Sequence, residues 1–145
     1  MTTSMQNRAK DLLCTSTYGV LGTHSEAIPG YPYGSLVPYT LDSRGQPIIL
    51  ISRLAQHSRN IQVDPRVSLT VSAIPAEDGD LLNTSRLCLL ANAEPGADET
   101  AREDYVWRFP EAREYLQLDF EFYRLVPFRL HMIAGFGQVQ WLDPV

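Results

Sequence analysis

Two serines, two arginines and a histidine fall within eight positions of this chain, as Ser52, Arg53, His57, Ser58 and Arg59. They follow Ile48-Ile-Leu-Ile51, an apolar, largely β-branched run of the kind found in strands buried on both faces or set in a barrel wall. A helix beginning near His57 or Ser58 would turn its free N–H groups towards the same volume. A dianionic phosphate is well served by such a helix terminus together with guanidinium and hydroxyl donors. The same residues also fit a plainer arrangement, in which Ser58 caps a helix and the arginines are solvated.

The elements that would position these groups are legible on either side. Residues 4–14 predict an amphipathic helix, with Ser4 as its cap and Met5, Ala9, Leu12 and Leu13 on one face. Tyr18 to Thr23 reads as a first strand, in which Gly19 and Gly22 mark close approach to the backbone. Pro29 to Gly34 reads as a rigid loop, Ser35 to Leu41 as a second strand, and Asp42 to Pro47 as a hairpin turn. After Asp64-Pro65, Val67, Leu69, Val71 and Ala73 alternate with Arg66, Ser68, Thr70 and Ser72, the pattern of a half-buried strand.

Pro75 to Asn83 is an acidic loop, and Arg86 to Glu94 is the next strand. Asp98 to Arg108 is helical, with Ala101, Tyr105 and Phe109 spaced for one face, and Pro110 opens a second short helix ending near Gln117. From Phe120, the residues Phe122, Val126, Phe128, Leu130 and Met132 alternate with Tyr123, Arg129 and His131 in a long strand broken at Pro127. Gly135-Phe-Gly137 then turns into a last strand ending at Trp141-Leu142. Several strands with helices inserted late predict a mainly β (α+β) fold. The expectation is a split β-barrel of about six to seven antiparallel strands with peripheral helices, rather than a parallel α/β sheet.

Composition narrows the function classes. With 145 residues, 44% hydrophobic and 20% charged, the chain is one globular domain over 1–145. A formal charge of −5 with dispersed arginines argues against a nucleic-acid partner. No apolar run has the length of a membrane span, and Met1 to Arg8 lacks the apolar core of a secretion signal, so no membrane partner and a cytoplasmic location are expected. Cys14 and Cys88 read as reduced packing residues. Glu77, Asp78 and Asp80 read as solvated charge, leaving no metal site, and no nucleophile–base arrangement stands out.

The strand at Ile48, the helix Ser-Arg-Leu-Ala-Gln-His-Ser-Arg-Asn-Ile and the strand Asp-Pro-Arg-Val-Ser-Leu together resemble the pyridoxamine 5′-phosphate oxidase-like, FMN-binding split-barrel superfamily. Within it they are most similar to the haem-utilisation (HugZ-type) branch. Tyr31-Pro-Tyr-Gly-Ser-Leu-Val-Pro-Tyr39 and Tyr123 to Gly137 extend the resemblance to roughly residues 16–142. The resemblance implies a homodimer with FMN between the subunits, and possible chemistry as a flavin-dependent oxidoreductase on a small molecule. Ser35, Leu36 and Val37 would run along the flavin ring. Ser52, Arg53, His57 and Ser58 would surround its phosphate, and Trp141 would approach from the partner subunit.

Two departures set the chain apart from the oxidases. Gln56 and His57 stand where the oxidases carry an Arg-Lys pair on the phosphate, and Phe136 and Gln138 stand where an Arg and a His hold substrate. Pyridoxamine-phosphate oxidase activity is therefore not expected. The haem-utilisation branch implies an alternative: a haem-binding or haem-degrading protein, with an axial imidazole from His24, His57 or His131. His24 reads as a loop residue and His131 as a strand residue. In haem-degrading relatives the ligand histidine comes from a C-terminal tail, which weakens that alternative for a chain ending at Val145. A third alternative is a non-catalytic dimeric binding module.

Overall fold

Period-two burial builds the sheet. In the computed structural model, which describes residues 4–144, strand β1 (Tyr18–His24) buries Gly19, Leu21 and Thr23 and turns Tyr18, Val20 and His24 outward. The other strands are β2 (Pro32–Pro38), β3 (Thr40–Leu41), β4 (Pro47–Ser52), β5 (Arg66–Ser72), β6 (Arg86–Pro95), β7 (Phe120–Gly135) and β8 (Gln138–Leu142). All pair antiparallel, in the order β2-β1-β5-β6-β7-β4-β3, with β8 also on β7. The two ends of that order, β2 and β3, are separated in the chain by Tyr39 alone, so the sheet must curl until its edges approach each other. The expected mainly β split barrel is thus present, with seven substantial strands and the two-residue β3.

One core fills the inside of the curl and a smaller one lies outside it. Leu21, Ile49, Leu69, Leu89, Leu125 and Met132 belong to the inner core. Helix α1 (Met5–Thr15) closes it with Ala9, Leu12 and Leu13, and Ser4 caps the helix by accepting from the Asn7 N–H, as its sequence predicts. Helix α2 (Gln56–Val63) adds Ile61. On β4 the alternate residues Ile48 and Leu50 face outward, where α3 (Glu99–Arg108) and α4 (Ala112–Tyr115) cover them with Ala101, Tyr105 and Ala112. The Ile48–Ile51 run is therefore buried on both faces.

Several boundaries differ from the sequence reading. Pro32 to Gly34 belong to β2 rather than to a loop, because they pair with His24 to Gly22. β2 stops at Pro38, and Thr40–Leu41 turn to pair with β4. β7 runs unbroken through Pro127. Leu90 pairs with Arg129 and Ala91 with Pro127, which leaves Phe128 as the extra residue of a bulge. Proline has no N–H to give a ladder, and a bulge is where a strand tolerates it. The bulge also reverses the phase: Tyr123 and Leu125 enter the inner core before it, Leu130 and Met132 after it. A single alternation through the whole strand was therefore wrong, and Tyr123 faces inward while Phe122 packs under α3. The turn at Asp42 is as expected. Its Oδ1 accepts from the N–H groups of Arg44 and Gln46, and Gly45 adopts φ +78°, a left-handed conformation that suits glycine.

Candidate functional site

Ser52, Arg53, His57 and Ser58 do meet, at the junction of β4 and α2. The helix begins at Gln56, with Ala55 as a cap that supplies no side-chain acceptor. Ser58 is not the cap: it lies inside the helix, fully buried, and its Oγ donates back to the Ser52 carbonyl. Ser52 Oγ accepts from the Leu54 N–H at 3.2 Å. Arg53 is exposed and its Nε lies 3.4 Å from Glu121 Oε2, so the guanidinium already has a carboxylate beside it. His57 is half-buried, and desolvation lowers its pKa, favouring neutral imidazole. The corner offers free helix N–H groups and one neutral ring, but its arginine is engaged and its buried hydroxyl is already donating.

The residues assigned to a flavin ring point in different directions. Val37 is buried in the inner core and Leu36 is 70% exposed on the opposite face. Ser35 shares the inward side with Val37, and its buried Oγ has no hydrogen-bond partner among the described residues.

Strand register creates a second assembly on the outer face. Leu36 pairs with Val20, Val20 with Thr70, Thr70 with Cys88, Cys88 with His131 and His131 with Trp141. This row crosses six strands. Trp141 is 58% exposed and its ring centroid lies 4.5 Å from that of His131. Beside it runs the row Gly34, Gly22, Ser68 and Leu90, whose first three members are small. There the surface sinks into a cleft of about 460 Å³, with Gly22, Ser68 and Leu90 in its lining and Pro32 and Phe128 as apolar walls.

One end of the cleft carries its charge. His24 stands at the end of β1, paired with Pro32, and not in a loop as its sequence context suggested. Its Nε2 lies 3.9 Å from Asp64 Oδ2. Asp64, which ends α2, takes two hydrogen bonds from the Arg66 side chain, from Nε at 3.0 Å and Nη2 at 2.7 Å, and a third from the Arg66 backbone N–H. Those bonds hold the Asp64 carboxyl well below the usual carboxylate range. A permanently ionised carboxylate beside an imidazole orients the ring and leaves its other nitrogen as a metal donor. Arg66 keeps Nη1 for an anion.

Sequence reasoning passed over Asn60, Asp64 and Phe128. Asn60 is wholly buried in the α2 turn behind His24. Its Nδ2 donates to Thr23 Oγ1 at 2.9 Å, and its Oδ1 accepts from the Glu26 N–H and from Gln56 Nε2. A lone amide in a polar helix carries no signal for this. Asp64 did carry one, since Asp-Pro before a strand is a turn signature, but its partners come from elsewhere. Cys14 is exposed and Cys88 half-buried, so only Cys88 approaches the packing role expected of both; both thiols are free. Among the described residues, no group of three His, Cys, Asp or Glu side chains could hold a metal ion. No helix among them is long and apolar enough to cross a membrane.

Residues 3–145 match a family model described as CREG, beta-barrel. The chain is 31% identical over 127 residues to the chloroplastic non-canonical heme oxygenase HOZ of Arabidopsis thaliana, covering 87% of this chain and 39% of that protein. It is 32% identical over 120 residues to heme oxygenase HutZ of Vibrio cholerae, covering 75% of this chain and 65% of that one. A solved structure of a heme binding protein from Mycobacterium smegmatis superposes with a TM-score of 0.88 at 27% identity, over 99% of this chain and 60% of that chain. The chain thus spans less than two-thirds of the length of each of these relatives.

Proposed function

Because this chain belongs to the CREG beta-barrel family, we propose that it binds haem on the outer face of its sheet, in the cleft between His24 and Phe128. The reading is carried by one observation: an imidazole with an ionised carboxylate beside it opens onto an apolar-walled cleft that also holds a guanidinium. The relatives named for haem support it, and they favour haem over FMN. A flat tetrapyrrole needs apolar walls, a donor for iron and a cation for its propionates. His24 would bind the iron, Asp64 would orient His24, and Arg66 with Asn92, its partner across β5 and β6 and also in the cleft lining, would meet a propionate. Pro32 and Phe128 would pack against the macrocycle. When bound, haem would supply iron-centred redox chemistry. The protein's part is to bind, orient and exclude water.

The cleft covers one face of a planar ligand, and the apolar row beside it is uncovered. A second copy of the chain, seated over Leu36, Val20 and Trp141, would cover the other face, giving a dimer with its sites at the subunit interface. A cytoplasmic location belongs to the same proposal, since the free thiols suit a reducing compartment.

Absorption titration of the purified protein with haem, and separately with FMN, tests the reading. Saturable haem uptake with a Soret band that moves and weakens in His24→Ala is expected, with His57→Ala and His131→Ala close to the parent. Uptake of FMN but not haem would reject it. An unchanged band in His24→Ala with a changed one in His131→Ala would move the ligand to the Trp141 side of the face. Loss of the Soret band with a chemical reductant in air would extend the proposal from binding to haem degradation.

A further inference from the structure

A different cleft opens under α1, on the inner side of the sheet. Its walls are apolar, with Ala9, Leu13, Leu89, Leu130 and Leu142, and it encloses about 340 Å³. Lys10 and Arg44 also line it, both exposed, and neither side chain takes part in an ion pair or hydrogen bond among the described residues. The one carboxylate in the lining, Asp143, has a cation of its own, with Arg129 Nη1 3.4 Å away. An apolar cavity whose unpaired charges are both cations, in a chain of net charge −5, is complementary to an anion with an apolar body.

We propose that this cleft binds a medium-chain carboxylate, its head group held by Lys10 and Arg44 and its alkyl chain against the leucines. The volume selects the class. A cavity of 340 Å³ holds roughly eleven water-sized volumes, the scale of an acid of about eight to ten carbons. It sits at the small end of ligand cavities. Leu89 and Leu130 face inward here while their neighbours Cys88 and His131 face outward, so the site is independent of the haem reading.

Cys14 lines the same cleft and is exposed, which makes it a local reporter. Calorimetric titration of the full chain with octanoate is expected to saturate at one site, with octanol binding far more weakly. The double variant Lys10→Ala, Arg44→Ala is expected to bind octanoate about tenfold more weakly, since two exposed ion pairs supply the head-group contact. Both side chains are on the surface, away from the α1 face that packs as Ala9, Leu12 and Leu13, so the variant should fold as the parent does. In a Cys88→Ser background, octanoate should slow maleimide labelling of Cys14. Absence of saturable binding at millimolar octanoate, equal affinity in the double variant, or unprotected Cys14 would each overturn the proposal. Displacement of octanoate by haem would overturn it as well, by placing both ligands in one site.

Discussion

Asn60 Nδ2 donates to Thr23 Oγ1 over 2.9 Å, joining two buried residues 37 apart in sequence. The contact ties α2 to β1 directly behind His24. Asn60 Oδ1 accepts from the Glu26 N–H at the same time, so the amide holds both sides of the segment from which His24 projects. Asn60→Ala would remove the donor to the buried Thr23 hydroxyl, which keeps only its bond to the Tyr33 carbonyl, and would leave the Glu26 N–H without a partner; a cost of about 1–3 kcal/mol is expected. Chemical denaturation reads this as a lower midpoint with an unchanged slope. Haem affinity should fall with it, because His24 loses its fixed position.

Gly19 is expected to tolerate no side chain. A Cβ there would lie 2.8 Å from the Thr70 carbonyl oxygen and 2.9 Å from Leu69 Cδ1, and the first is backbone that cannot turn aside. Gly19→Ala should destabilise by about 1–3 kcal/mol. Gly34→Ala is the control, since its Cβ would meet nothing nearer than Val20 Cγ1 at 3.5 Å. Thermal melts of the two variants should separate clearly, and equal melts would mean that β1 and β5 leave room for a methyl group at Gly19.

Stability should decline in alkali through three buried tyrosines, Tyr39, Tyr105 and Tyr123, in each of which burial raises the phenol above its ordinary value. Burial pushes the Tyr39 phenol up to about 12, and burial with a hydrogen bond to Glu121 does the same for Tyr123. Each loses its proton at a lower pH when unfolded, near 10. The folded state therefore keeps protons that the unfolded state has shed. The stabilisation is complete below pH 10 and is lost as pH rises towards 12, at up to about 1.4 kcal/mol per pH unit for each tyrosine. Tyr39→Phe should flatten that slope. It should also cost about 1–2 kcal/mol at neutral pH, because the hydroxyl donates to the Leu13 carbonyl and fastens α1 to the barrel. Denaturation followed across pH 8–12 checks both.

Leu36→Glu is expected to give a folded monomer. Leu36 is outward and exposed, so the charge should leave intrinsic stability within about 0.5 kcal/mol, while opposing like charges across a two-fold interface would prevent pairing. Light scattering of parent and variant gives the masses. A parent that is itself monomeric at high concentration would end the dimer proposal and leave the open face of the cleft to another cover.

Local pattern in the sequence determined a good part of this protein. Alternation placed Leu69 and Val71 inside, the unbroken Ile48–Ile51 run required cover on both faces, and Ser4 and the turn at Asp42 carried their own hydrogen-bonding logic. The clustering of Ser52, Arg53, His57 and Ser58 was also legible, because those residues are neighbours in the chain. What the tertiary structure alone decided depends on pairing across long sequence separations. Phe128 as an extra residue in β7 reverses the inward phase, which periodicity read straight through Pro127 could not register. The row from Leu36 through Val20, Thr70, Cys88 and His131 to Trp141 exists only because strand order and register align six distant segments. His24 meets Asp64 and Arg66 for the same reason. Side-chain period is a property of each strand by itself, whereas the meeting of strands is settled by burial and hydrogen-bond pairing over the whole sheet.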